Sequence, residues 1–243
     1  MPTVLVIEPD VSDPIGPLGD WLIAAGLVLE IRRPHTGEPL PQDLHGFDGL
    51  IVLGGAQSAT DAPEAAPWMS GIRQLLRDGI ARPVPLLGIC LGGQLLAQEA
   101  GGSVRVGAAG PEIGALLVGK RDAAFADPIF APLPITPLVI QWHHDEIDAL
   151  PPGAVLLANS VTYPHQAFRV GSCAWGLQFH VETTPELVAT WAEQDSAGLT
   201  RAGLDKDEVL AEASSDAHDE IAQVWAAFAR RFAAVVTQSS AAA

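Results

Sequence analysis

Cysteine is nearly absent from this chain: Cys90 and Cys173 are the two thiols in 243 residues. So few thiols exclude a disulfide framework as the basis of the fold. Basic side chains are also scarce, with 13 Lys and Arg against 29 Asp and Glu, for a formal net charge of −16. No local cluster of Lys or Arg offsets that charge, so nucleic-acid binding by counterion release is not expected, and the acidity reads as solubility. Long hydrophobic runs are missing too. Stretches such as 4–7 and 50–53 fall far short of a membrane span, so no membrane association is expected. The first residues lack the basic segment and cleavage site of a secretory leader and read directly as a strand, which sets the expectation of a cytoplasmic protein. Internal repeats are absent, and no G-K-[ST] follows Gly54-Gly55, which excludes a phosphate loop there.

What is present is apolar character in short, regularly spaced pieces. Hydrophobic residues make up 48% of the chain, enough for one sizeable α/β domain or a domain with an appendage. Strand-like stretches at 4–8, 27–31, 50–53 and 85–87 alternate with helix-like stretches at 17–25, 67–78 and 92–100. That rhythm predicts an open, mostly parallel sheet with helices on both faces. From 104 to 178 short β-type runs follow one another between Gly and Pro, predicting antiparallel strands appended to the parallel part. Beyond Pro185 the chain turns helical, at 185–196, 205–213 and 215–236. Ile221, Val224, Trp225, Phe228 and Phe232 form one apolar stripe there, expected to pack in the core. The expected organisation is a catalytic domain at 1–190 and a helical C-terminal extension at 191–243, whose last residues, 238–243, are expected to be disordered.

The chemistry concentrates in Gly88-Ile89-Cys90-Leu91-Gly92-Gly93-Gln94. A cysteine between glycines, after a strand and before a helix, reads as a nucleophile elbow, the thiol counterpart of G-x-S-x-G. Gly88 and Gly92 suit a turn too tight for side chains. The thiol then sits at the positive end of the following helix, which favours thiolate. Such a nucleophile needs a base. Gly176-Leu177-Gln178-Phe179-His180-Val181-Glu182 supplies one: read as a strand, it places His180 and Glu182 on one face, where a carboxylate orients an imidazole. Cys173 reads as a small core or loop residue. His143-His144-Asp145-Glu146 resembles a metal cluster, but neighbours on an extended segment alternate faces, so no metal is expected.

Together with Ile51-Val52-Leu53-Gly54-Gly55-Ala56-Gln57-Ser58, these motifs resemble the class I (triad) glutamine amidotransferases, and in particular stand-alone proteins like the amidotransferase domain of GMP synthase. The resemblance spans about residues 3–191 and implies the flavodoxin-like fold of that family. It implies that Cys90 attacks the glutamine side-chain amide to form a γ-glutamyl thioester, that His180 moves the proton, and that Glu182 orients His180. The backbone N–H groups of Gly55 and Leu91 correspond to the oxyanion hole. Gln94, Ala56, Trp142, His143 and His144 correspond to substrate-binding positions. Ala56 stands where proline is usual. His144 stands where the family has glycine after the histidine, so its side chain is expected to narrow the pocket or to read a different substrate group.

Thiol, imidazole and backbone amides suffice for this reaction, so no cofactor is expected. An ATP pyrophosphatase domain does not follow the triad within this sequence, so ammonia would pass to an acceptor on a separate synthase subunit. Two alternatives stand beside this reading: a self-sufficient hydrolase of γ-glutamyl amides or peptides with the same triad, and a non-catalytic regulatory subunit that has kept the fold.

Overall fold

The computed structural model describes residues 1–242. The strands are β1 (Thr3–Ile7), β2 (Val28–Arg32), β3 (Gly49–Val52), β4 (Leu86–Ile89), β5 (Ser103–Val106), β6 (Glu112–Leu117), β7 (Gly119–Lys120), β8 (Leu138–His143), β9 (Asp145–Ala149), β10 (Val155–Asn159), β11 (Ala167–Val170) and β12 (Ala174–Leu177). The helices are α1 (Gly16–Ala24), α2 (Met69–Ala81), α3 (Leu91–Glu99), α4 (Pro185–Gln194), α5 (Ser196–Ala202), α6 (Lys206–Glu212) and α7 (Ser215–Ala242).

An eight-stranded sheet in the order β2-β1-β3-β4-β12-β11-β10-β7 forms the centre. From β2 to β12 neighbours run parallel, and from β12 outward they run antiparallel. The expected parallel sheet with appended antiparallel strands is therefore present, and part of the appendage continues the same sheet. Two antiparallel pairs, β5 with β9 and β6 with β8, lie apart from it.

The strands at the centre of the sheet are apolar on both faces because both faces are covered. Strands β3 and β4 are buried at every residue. Alternate side chains feed separate cores: Val4, Val6, Ile51 and Leu87 enter one, and Leu5, Ile7, Leu50 and Leu86 the other. Leu18 and Leu22 of α1 and Trp225, Phe228 and Phe232 of α7 cover the first face. Helices α2 and α3 cover the second with Ile72, Leu75, Leu76, Leu91, Leu95 and Leu96.

The helical stripe of α7 is core, as expected. Trp225 meets Phe130, Phe179 and Phe228 at ring-centroid distances of 6.2, 5.3 and 5.2 Å, and its indole N–H donates to the Leu138 carbonyl at 2.9 Å. These contacts bear on the expected organisation. A boundary after residue 190 would cut α4, and the helices beyond it share one core with β1, β3 and β4. The tail is also corrected: α7 runs on to Ala242, so residues 238–242 are helical, and Ala243 lies outside the described residues.

A further correction concerns the segment with His180. Strand β12 ends at Leu177 rather than continuing through Glu182. The chain leaves its partner β4 and crosses to β8, where the His180 N–H donates to the Ile140 carbonyl at 2.8 Å and the Ile140 N–H returns a bond at 3.1 Å. A short helix, α5, and strands β7 and β9 lie where no element is predicted.

Candidate active site

The elbow between β4 and α3 is built on close backbone approach. Cys90 has φ of 49°, in the left-handed region that a non-glycine residue rarely adopts. A Cβ on Gly88 would lie 2.4 Å from the Gly92 carbonyl oxygen, and one on Gly92 would lie 2.1 Å from the Val52 oxygen. Glycine is required at both positions because the obstructing atoms are main chain and cannot move aside. Helix α3 is thereby pressed onto the end of β3, and the thiol stands at its N-terminus. Leu91 is the first residue of the helix, so its N–H has no partner within it.

His180 is buried, and its Nδ1 lies 2.6 Å from Glu182 Oε1. The other carboxylate oxygen of Glu182 accepts from the Val181 N–H at 2.8 Å. Both oxygens are thus engaged. Glu182 fixes the ring, and Nε2 is left for the thiol. The pair projects together, as the spacing predicts, although from an irregular turn and not from a strand. Burial disfavours a charged ring, but the charges of Glu182 and Cys90 outweigh it and hold His180 well above its ordinary pKa. The Trp191 ring packs against the imidazole at 4.7 Å between centroids.

Cys90, His180, Gly55, Leu91, Ala56, Gln94, Trp142, His143 and His144 all border one cavity of about 380 Å³, within the range of small-molecule sites. Glu182 stands behind His180, 1% exposed. Gln94 is buried and donates to Gln178 at 3.3 Å, and the Gln178 amide in turn lies 3.9 Å from the Cys90 sulfur. The imidazole of His143 is turned into the protein. Its Nδ1 faces the Asp145 carbonyl at 2.8 Å and its Nε2 faces Glu112 at 3.1 Å. Burial works against a charged Glu112, but hydrogen bonds from His143 and Ser160 prevail and hold its carboxyl below the usual range. At the cavity His143 therefore offers chiefly main chain.

His144, the residue in place of glycine, reaches the C-terminal helices. Its Nε2 lies 2.7 Å from Asp195 Oδ2 and its Nδ1 3.0 Å from an Arg201 nitrogen. Arg201 can only donate, so Nδ1 accepts and the proton resides on Nε2. Trp142 donates to the same Asp195 oxygen at 3.2 Å, and Trp191 donates to the Ser12 carbonyl at 2.8 Å. The wall of the cavity is consequently shared between the β8–β9 junction and the α4–α5 corner.

Several lining residues escaped the sequence reading: Asp13, Trp191, Gln194 and Asp195. Asp13 and Trp191 lie 178 positions apart in sequence, and no local pattern marks either. Asp13 is buried, its Oδ1 has no hydrogen-bond partner among the described residues, and that oxygen lies 4.0 Å from His180 Nδ1. Asp13, His180 and Glu182 bring three metal-type donor atoms within 4.8 Å of one another, two of which the His180–Glu182 hydrogen bond already uses. Cys173 is remote from the cavity. Its thiol donates to the Pro83 carbonyl at 3.2 Å, and burial pushes its pKa up.

Residues 21–192 match the model of the family described as glutamine amidotransferase class-I. The chain is 30% identical over 170 residues to a glutamine amidotransferase-like protein (YfeJ) of Salmonella typhimurium, covering 69% of this chain and 70% of that one. It is 35% identical over 144 residues to a glutamine-hydrolysing GMP synthase of Porphyromonas gingivalis, covering 59% of this chain but 26% of the synthase. It is 27% identical over 169 residues to γ-glutamyl peptidase 4 of Arabidopsis thaliana, covering 68% and 66% of the two chains. Among solved structures, a glutamine amidotransferase from Thermotoga maritima superposes with a TM-score of 0.83 at 28% identity, covering 96% of this chain and 98% of that one. By the family model matched over residues 21–192 and by this likeness in sequence and fold, the chain belongs to the class I glutamine amidotransferase family.

Proposed function

We propose that this protein hydrolyses the side-chain amide of glutamine through a thioester on Cys90, and that the ammonia is released or passed to an acceptor on a separate subunit. The observation that carries the proposal is the convergence, on one cavity, of a thiol on a strained elbow with an imidazole hydrogen-bonded to a buried carboxylate. In this reading the resting pair is thiolate and imidazolium. The thiolate attacks the amide carbonyl. The tetrahedral oxygen lies toward the N–H groups of Leu91 and Gly55, each worth about 2.7–4 kcal/mol where such donors have been removed from other enzymes. The C–N bond breaks as His180 gives its proton to the departing nitrogen, so ammonia leaves and the γ-glutamyl group stays on sulfur. Water, deprotonated by the now neutral His180, attacks the thioester. Glutamate departs and the thiolate–imidazolium pair returns.

A second reading shares every step but has an amine or a peptide nitrogen as leaving group. His144 favours it, because it places a side chain on the cavity wall where the resembled family has glycine, held there by Asp195 and Arg201, and the relative named as a γ-glutamyl peptidase is consistent with it. Retention of all three triad members weighs against a purely regulatory role.

The test is ammonia release from L-glutamine by the parent and by Cys90→Ala, with a γ-glutamyl dipeptide in parallel. Cys90-dependent release from glutamine is expected. Activity on the dipeptide alone would select the second reading, and a Cys90→Ala protein as active as the parent would remove Cys90 as nucleophile.

A further inference from the structure

The loop between β1 and α1 brings a second carboxylate to the catalytic imidazole. Asp13 Oδ1 lies 4.0 Å from His180 Nδ1, buried and without a hydrogen-bond partner among the described residues. Such a group costs free energy unless something on the reaction path compensates it.

The placement is built, not incidental. Asp10 Oδ1 accepts from the N–H and hydroxyl of Ser12 at 2.9 and 2.8 Å, and the Asp13 N–H donates to the Asp10 carbonyl at 3.3 Å. Trp191 holds the Ser12 carbonyl. Gly16, with φ of +47°, lies so close to Glu182 that a Cβ there would be 2.3 Å from its carbonyl oxygen. Gly54 keeps the space between carboxylate and ring clear: a Cβ there would lie 3.2 Å from Asp13 Oδ1 and 3.0 Å from His180 Cε1.

We infer that Asp13 is a positioning residue for the reaction, a second anionic partner of His180 that stabilises the imidazolium and keeps its proton available for the leaving nitrogen. The inference rests on the proposed Cys90–His180 chemistry. Titratable groups that face the ring are Glu182 from its own turn, Cys90 from the elbow and Asp13 from the β1–α1 loop; Trp191 from α4 adds an uncharged face. Those that act on Asp13 are His180, Glu182 and Asp10. Burial pushes Asp13 up to about 7, the His180 charge pulls it down, and the Glu182 and Asp10 charges push it up. Its negative charge is thus present above about pH 7, where it favours the protonated ring.

The experiment follows the His180 Cε1–H resonance by NMR against pH in the parent, Asp13→Asn, Asp13→Ser and Asp13→Glu, with His180→Asn assigning the signal. Both neutral variants are expected to lower the His180 midpoint by ~1–3 pH units, the range for loss of an opposite charge within about 4–6 Å. Asp13→Glu should recover part of that shift. The alkaline limb of kcat/KM for L-glutamine should move down in parallel, with the fall in kcat. The two neutral variants guard against one of them failing to fold. Superimposable titrations overturn the inference, and so does a rise in KM with an unmoved pH profile, which would make Asp13 a substrate contact. If the titration shifts but Cys90→Ala turns over glutamine like the parent, the proposed function fails and the Asp13–His180 coupling stands.

Discussion

Glu182→Gln isolates the role of charge at the imidazole with almost no change in volume. In the parent, one carboxylate oxygen accepts from His180 Nδ1 at 2.6 Å and the other from the Val181 N–H at 2.8 Å, in a setting 1% exposed. A glutamine can satisfy one of these and not both. With its carbonyl toward Val181, its NH₂ donates to Nδ1, so the ring must carry its proton on Nε2, and no lone pair is left for the thiol proton. With the amide reversed, the NH₂ opposes the Val181 N–H and a buried donor is orphaned, at about 1–3 kcal/mol. The imidazolium loses its buried counterion in either orientation. Acid–base catalysis by such a group is worth roughly 10²–10⁴-fold, so kcat/KM should fall by that factor while the fold persists. The assay is the rate of ammonia release from L-glutamine, with iodoacetamide labelling of Cys90 followed by mass spectrometry. Labelling should continue, since the thiol remains exposed to reagent through the cavity. A turnover within twofold of the parent would remove Glu182 from the mechanism.

Two further perturbations separate stability from activity. Asp13→Asn should stabilise the folded protein at pH 8 relative to the parent. The Asp13 pKa is raised from 3.8 to about 7, so the folded state binds more protons and the parent loses stability as pH rises through that window. At ~1.36 kcal/mol per unit the loss is at most about 4 kcal/mol, and urea midpoints at pH 4 and pH 8 report it; a parent–variant difference unchanged between the two would contradict the linkage. Trp225→Ala empties the centre of the α7 contact and orphans the Leu138 carbonyl. It should cost roughly 3–5 kcal/mol, measured by denaturant unfolding, and a loss under about 1 kcal/mol would mean that α7 is not integral to the core.

Much of this protein was legible in its sequence. The alternation of apolar stretches determined the parallel sheet, because strands buried on both faces must be apolar throughout. Gly88 and Gly92 announced the elbow because only glycine fits where main chains meet. The two-residue spacing brought His180 and Glu182 together, although the local geometry is a turn stepping from β4 toward β8, which no local pattern encodes. Tertiary structure alone decided the rest. A five-residue apolar stripe declares a buried face and not what it buries against, so the union of α7 with the sheet appeared only in three dimensions. His144 as a replaced glycine suggested a narrowed pocket or a different substrate contact; what holds its ring at the cavity wall is Asp195 and Arg201, residues supplied by an α4–α5 corner 51 and 57 positions away. Asp13 carries no motif at all. The role inferred for it rests on distance to one imidazole and on burial, and both are properties of the folded chain, since solvent and separation would cancel the same charge in the unfolded one.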